Sequence, residues 1–291
     1  MTAPLSTWLR LREPADAAAR SAQLTGLIAD TLAGHPSVHA LDLATGTGSN
    51  IRFLMDRLPP TQRWTAVDRD DRLLAEVPVR VAAHGRSLGH QAEERAHGCR
   101  IVGDRLDCDV VTRQMDLGEL DDASIFEGRQ LVTASALLDL VSEGWLQKLA
   151  AHSKAAQAVL LLSLTYNGMS VASPTVEDDE LIRELLNRHQ RRNKGLGGRA
   201  AGPEAADVAD RVLKDAGYVV RRATSNWTIE PAAQPFQREL MQGWVEAALE
   251  VSPHMAPRIA RWHERRLAHL DGGRSWIVVG HDDLAAWLPP A

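Results

Sequence analysis

The sequence predicts an α/β protein built on a seven-stranded, mostly parallel sheet with helices on both faces. Short apolar runs alternate with amphipathic helical stretches along the chain, and a glycine-rich turn joins the first run to the helix after it. The fifth run, residues 158–164, is nearly all apolar, as a parallel strand covered on both faces must be.

Each element has its own signal. Residues 16–33 read as a helix, with Leu24, Leu27, Ile28 and Leu32 at helical spacing and Gly34 as the stop. Residues 38–43 read as a buried strand. The next helix presents Ile51, Leu54, Met55 and Leu58 on one face and ends at Pro59-Pro60. Residues 63–67 form a second strand closing at Asp68, and 71–97 read as mostly helical, broken near Pro78. Strands follow at 109–115 and 129–134, then a helix carrying Leu137, Leu138, Val141, Trp145 and Leu149. Beyond the fifth strand the pattern gives helices at 177–192 and 203–215, a strand at 218–229, two amphipathic helices and a last strand at 275–280.

Composition narrows the function. The 291 residues are 44% hydrophobic and 24% charged, with a net charge of −5, which gives no basic stripe for nucleic acid. The two cysteines, Cys99 and Cys108, suggest free thiols and make no zinc site alone, so no metal is expected. The first twenty residues lack the apolar core of a signal peptide, and no run is long enough to span a bilayer. A cytoplasmic protein with no membrane contact is expected.

The stretch Asp42-Leu43-Ala44-Thr45-Gly46-Thr47-Gly48-Ser49-Asn50 sits between a strand and a helix, where such a motif has physical meaning. Gly46 and Gly48 let a ligand approach the backbone, and the helix that follows points free N–H groups at it. Asp68, twenty residues after Gly48, can accept from both hydroxyls of a ribose. Asp116 can accept from an adenine amino group while Leu117 covers the ring. A nicotinamide dinucleotide competes for such a turn, but its G-x-G-x-x-G pattern wants a third glycine where Ile51 stands.

On these residues the chain resembles the class I, Rossmann-like methyltransferases that use S-adenosylmethionine (SAM) and release S-adenosylhomocysteine (SAH). Their D/E-x-G-x-G-x-G motif is met by Asp42, Gly46 and Gly48, with Ala44 in place of the first glycine, tolerable if its φ stays negative. The resemblance implies a cofactor site made of Asp42, Ala44, Thr45, Gly46, Gly48, Asn50, Asp68, Arg69, Asp116, Leu117 and Ser135. It also implies an antiparallel last strand, paired with 218–229. The 45 or so residues between those two strands then make a helical insertion, at about 232–272. Residues 1–34 are expected to form a helical lid, with Arg12, Asp16 and Arg20 as contacts, over a methyltransferase domain at 35–291.

The expected reaction is methyl transfer to an oxygen, nitrogen or carbon of a small metabolite. The alternatives are an NAD(P)-dependent oxidoreductase, an RNA or protein methyltransferase, and a domain whose glycine turn holds no ligand. Asp139, His189 and Tyr166 are the candidate catalytic residues, the histidine lying on a helix face with Ile182, Leu185 and Leu186. Each has a plainer reading: a capping acid, a core histidine, a loop residue. The cations Arg188, Arg191, Arg192, Lys194 and Arg199 could clamp an anion or merely suit a helix C-terminus. Trp227, Trp244 and Trp262 could stack on a planar substrate or fill a core. Aromatic residues on the inserted helices make a homodimer conceivable.

Overall fold

The computed structural model describes residues 4–290. Two helices, α1 (Leu5–Ala19) and α2 (Ala22–Leu32), precede a repeating strand–helix pattern. It runs β1 (Val38–Leu43), α3 (Ser49–Leu54), β2 (Thr61–Asp68), α4 (Asp71–Ser87), β3 (Gln91–Arg95), β4 (Gly98–Gly103), β5 (Leu106–Gln114), β6 (Leu131–Ser135), α5 (Glu143–Ala155) and β7 (Val159–Ser173). The C-terminal part holds α6 (Asp179–Gln190), α7 (Ala205–Asp215), β8 (Val219–Thr224), β9 (Trp227–Ile229), α8 (Gln234–Val251), α9 (Ala256–Asp271) and β10 (Trp276–Trp287).

One sheet contains all ten strands of the described residues, in the order β3-β4-β5-β2-β1-β6-β7-β10-β8, with β9 also paired to β10. Its centre, β5-β2-β1-β6-β7, is parallel, and β10 runs antiparallel to β7 and β8. The count of seven strands is therefore corrected to ten, and antiparallel pairs take a larger share than expected. Strand β3 of the β3–β4 hairpin lies where the sequence reads as helix, and β4 lies just beyond it in a stretch given no element. Gln-Ala-Glu-Glu-Arg has helical composition, but β4 offers it a pairing edge, and α4 has already ended at Leu88-Gly89. Gly98 makes the close approach possible, since a Cβ there would sit 1.9 Å from the Val110 carbonyl oxygen. The predicted strand 218–229 breaks into β8 and β9 around Ser225 and Asn226. The last strand runs seven residues past its expected end. Pro78 does not break α4; it is buried on the same face as Leu74, Val77 and Val81.

Alternation along the strands divides the core. Leu41 and Leu43 of β1 join Leu160 and Leu162 of β7 under α5 and α7, while Val38, Ala40 and Leu161 face α2, α3 and α4. Helix α2 contributes Leu24, Ile28 and Leu32 to that second layer, so it is part of the sheet's packing. A third core lies beyond the strands' C-terminal ends. There the long β7–β10 ribbon carries α6, α8 and α9, joined by Trp227, Phe236, Met241, Trp244 and Trp262. Arg266 of α9 is wholly buried and anchors this layer by bonding Asp179 and the Pro174 carbonyl, while Trp262 Nε1 donates to Asp179 at 2.8 Å. Among the described residues no helix is long and apolar enough to cross a membrane.

Candidate active site

The parallel strands bring their C-terminal ends to one edge. Leu43 is in register with Val67 and Ala134, and Ser135 with Ser163. At this edge the backbone is bent in a way side chains resist. Ala44, Ala136 and Leu164, just past or within β1, β6 and β7, have φ of 52°, 52° and 57°. Left-handed backbone at non-glycine residues costs about 1–3 kcal/mol each and gathers where function holds it. The expectation that Ala44 keeps a negative φ is thus corrected: the turn needs that conformation and alanine bears it. Gly46 and Gly48 adopt φ of 56° and 79°.

The turn is braced from within. The Thr45 N–H donates to the Val67 carbonyl at 2.9 Å. Asp42 is fully buried beneath it and accepts from Thr45 Oγ1 and, at 2.6 Å, from Asn50 Nδ2. Burial pushes the Asp42 carboxyl up to about 6, against those hydrogen bonds. Asp68 reaches across from β2: its Oδ2 accepts from the Gly46 N–H at 2.8 Å and its Oδ1 from the Asp70 N–H at 3.0 Å. Each carboxylate oxygen has two lone pairs, so one on each remains, which matches the two hydroxyls of a ribose. Asp116 is exposed and accepts from the Gly118 N–H at 2.9 Å, and Leu117 is buried beside it. Arg69 is exposed, its carbonyl accepting from Gln114 Nε2 at 3.1 Å.

Arg20, at the break between α1 and α2, is drawn into the same site. It donates to Asn50 Oδ1 and, at 2.8 Å, to Ser135 Oγ, and burial lowers its pKa. Its Nε and the Thr47 hydroxyl are buried without partners among the described residues. These groups suit a zwitterionic amino-acid end. Above Gly46, however, the space is filled: a Cβ on that glycine would lie 3.1 Å from Leu9 Cδ1 of α1. The residues fit a nucleoside-linked methionine on condition that α1 draws back. It is held both by half-buried apolar residues, with Trp8 against Trp227 and Phe236 and Leu11, Ala15 and Ala19 on the third core, and by polar bonds. Asp16 is its one buried residue, and Glu13 makes a two-pronged pair with Arg52 at 2.8 and 2.7 Å.

Beside the turn lies a cavity of about 500 Å³, over the ends of β6 and β7 and under α1, α6 and α8. Asp139, Tyr166 and His189 all line it, so the structure brings the three candidates together. Burial raises the Asp139 carboxyl to about 6, and its Oδ2 accepts from Gln190 Nε2 at 3.2 Å. The Tyr166 hydroxyl donates to Asn187 Oδ1 at 2.8 Å, and burial drives its pKa far above the ordinary phenol value. His189 lies between Lys194 Nζ, 3.1 Å from Nδ1, and Glu250 Oε2, 3.2 Å from Nε2. Burial and then Lys194 lower its pKa. The neighbouring cations are already paired, Arg191 with Glu204 and Arg192 with Glu250. Trp227 and Trp244 line the cavity, whereas Trp262 packs behind it.

His281 and Trp8 also line the cavity and carry no motif that marks them. Asp283, buried behind the cavity rather than on its wall, likewise carries no motif. It accepts from the Ser21 and Leu164 N–H groups at 2.8 and 2.7 Å, joining the α1–α2 break to the bend in β7. The signal was a run of three polar residues, His281-Asp282-Asp283, inside a segment that otherwise continues as apolar strand through Leu284, Ala285 and Ala286.

No protein-family model matches the chain, and no curated protein does. Solved structures do match. A protein from Bacillus halodurans C-125 named as a candidate methyltransferase shares 14% identity over 91% of this chain and 99% of its own, with a TM-score of 0.50. A SAM-dependent methyltransferase from Geobacter sulfurreducens, solved with SAH, shares 14% over 97% and 98% at 0.42. The cyclopropane synthase MmaA2 of Mycobacterium tuberculosis shares 13% over 90% and 82% at 0.44. The fold, a mixed sheet with helices on both faces, is thus like that of the Bacillus halodurans structure and of Rossmann-like methyltransferases.

Proposed function

We propose that this protein transfers a methyl group from SAM to a small molecule held in the cavity beside the glycine turn. The observation that carries this reading is the Asp68 carboxylate, fixed on the Gly46 N–H at 2.8 Å with one lone pair per oxygen left for a ribose. In this reading Asp116 and Leu117 take the adenine, the Gly46–Gly48 backbone takes the nucleoside's approach, and Asp42, Thr45, Asn50, Ser135 and Arg20 surround the methionine end. Bound SAM supplies an electrophilic methyl group on a sulfonium leaving group. The chain's task is then to place the acceptor in line, which is worth about 7–11 kcal/mol in favourable cases, and to keep water out. Helix α1 serves as the lid: it yields Leu9's place to the ligand and closes again through Glu13–Arg52. Asp139 is the proton acceptor the cavity offers, ionised at neutral pH and more basic than a surface carboxylate.

The test is incubation with methyl-labelled SAM and a cell extract, counted separately as small molecules, protein and RNA. Label in the small-molecule fraction supports the reading. Label confined to macromolecules, or none, overturns it.

A further inference from the structure

The cavity's wall carries both donors and acceptors of hydrogen bonds. Three donors on its wall are already committed: the Tyr166 hydroxyl to Asn187 at 2.8 Å, the Gln190 amide to Asp139 at 3.2 Å, and Trp227 Nε1 to Asp16 at 2.9 Å. Arg12 brings a cation whose charge Asp16 matches, its Nε bound at 2.8 Å and its guanidinium 5.8 Å from the Trp227 ring centre, while its Nη groups and the indole N–H groups of Trp8 and Trp244 have no bonded acceptor among the described residues. Two acceptors are left. Asp139 is 6% exposed, and its carboxylate has lone pairs beyond the one Gln190 uses. His281 Nδ1 lies 3.1 Å from the Val279 carbonyl oxygen. A carbonyl only accepts, so Nδ1 carries the proton and Nε2 is the acceptor of a ring that lines the cavity. Burial holds that ring neutral, pushing its pKa down to about 3.

Apart from His189, whose ring lies between Lys194 and Glu250, the rest of the wall is flat and apolar. Trp8 and Trp227 meet edge to face with centroids 6.4 Å apart, and Trp227 lies 4.6 Å from the His281 ring. Trp244, Leu240 and Leu164 continue the surface. Aromatic walls of this kind accept a planar body or a cation over a ring face. An anion would have to lose its water beside a carboxylate, which like charge and low polarity both oppose.

We infer, building on the methyl-transfer reading above, that the acceptor molecule is flat and largely apolar, presents a hydroxyl or amino donor to Asp139 and His281, and is not an anion. The acceptor's oxygen or nitrogen lone pair forms the bond to the methyl carbon. The carbon–sulfur bond breaks with its electron pair going to sulfur, and the acceptor's proton passes to the Asp139 carboxylate.

The test uses the full chain and four naphthalenes that differ in one group: naphthalene, 2-naphthol, 2-naphthylmethylamine and 2-naphthoate. Tryptophan quenching reads binding at pH 7.5, with and without saturating SAH. The naphthol and the amine are expected to bind at least tenfold more tightly than the naphthoate, with naphthalene between them. In Asp139→Asn the amine's advantage over naphthalene is expected to fall about tenfold. Naphthoate binding as well as the naphthol, or no saturable binding by any of the four, overturns the inference. The ranking in the native chain decides even if the variant does not fold. Failure of SAH to bind would instead overturn the methyl-transfer reading, and the ranking without SAH would still judge the acceptor class.

Discussion

At the scale of single residues, the site is held by side chains working against their own preferences. Ala44 bears a left-handed backbone at φ 52°, where a Cβ is unfavourable by about 1–2 kcal/mol. Ala44→Gly removes that strain and adds some freedom to the unfolded chain, so a net gain of about 0.5–1 kcal/mol is expected in chemical denaturation. A loss of stability would mean that the turn is not left-handed in solution. The motif itself was legible: Asp42, Gly46, Gly48 and Asp68 stand together because their spacing encodes a strand, a turn and a neighbouring strand. Ala44's conformation was not legible, because nothing in a one-letter code says which residue of a turn must cross to positive φ. His281 and Asp283 were missed because their roles depend on contacts with residues more than a hundred positions away, such as Leu164.

At the scale of elements, α1 and α2 are adjacent in sequence and unlike in attachment. Helix α2 is fastened by Leu24, Ile28 and Leu32 in the core, whereas α1 fully buries one residue, an aspartate, and lays Trp8, Leu11, Ala15 and Ala19 half-buried on the third core. Reading 16–33 as a single helix missed the break at Arg20-Ser21, where Ser21 caps α2 by accepting the Leu24 N–H at 3.2 Å. That break is where a lid would hinge. A partly buried ion pair such as Glu13–Arg52 is worth about 1 kcal/mol, a factor of about five in an equilibrium. Glu13→Gln is therefore expected to raise the association rate of SAH about twofold to fivefold in stopped-flow fluorescence. An unchanged or slower rate would show that α1 does not gate the turn. Strand β3 shows the opposite limit: its composition favours helix, and only the neighbouring edge of β4, itself paired to β5, makes it strand.

At the scale of the whole molecule, the third core joins the insertion, the ribbon and the cavity, and it makes folding sensitive to acid. His281 is neutral in the fold down to about pH 3, chiefly through burial and then through Arg12, while the unfolded ring gains a proton below about 6.5. The unfolded chain therefore binds more protons in that window, and stability is lost as pH falls from 6.5 towards 3, by up to about 1.4 kcal/mol per pH unit. Asp42 and Asp139 act in the other sense. Their carboxyls, raised to about 6 from 3.8, stabilise the fold at low pH, and this contribution is lost as pH rises through 6. Denaturation midpoints at pH 7, 5 and 4 should fall less steeply for His281→Phe than for the native chain. Equal slopes would show that the ring is not held neutral by the fold.

The parallel centre of the sheet was readable because its strands are apolar runs between helices. The cavity was not, since it forms where α1, α6, α8 and β10 meet from four distant parts of the chain. The most direct measurement of the central claim is calorimetric titration of the native chain and Asp68→Ala with SAH and with NAD⁺. The account predicts saturable SAH binding, weakened about 10- to 100-fold by the substitution as a charge-assisted pair of bonds is lost, and no NAD⁺ binding. Absence of SAH binding, or indifference to Asp68, would contradict it.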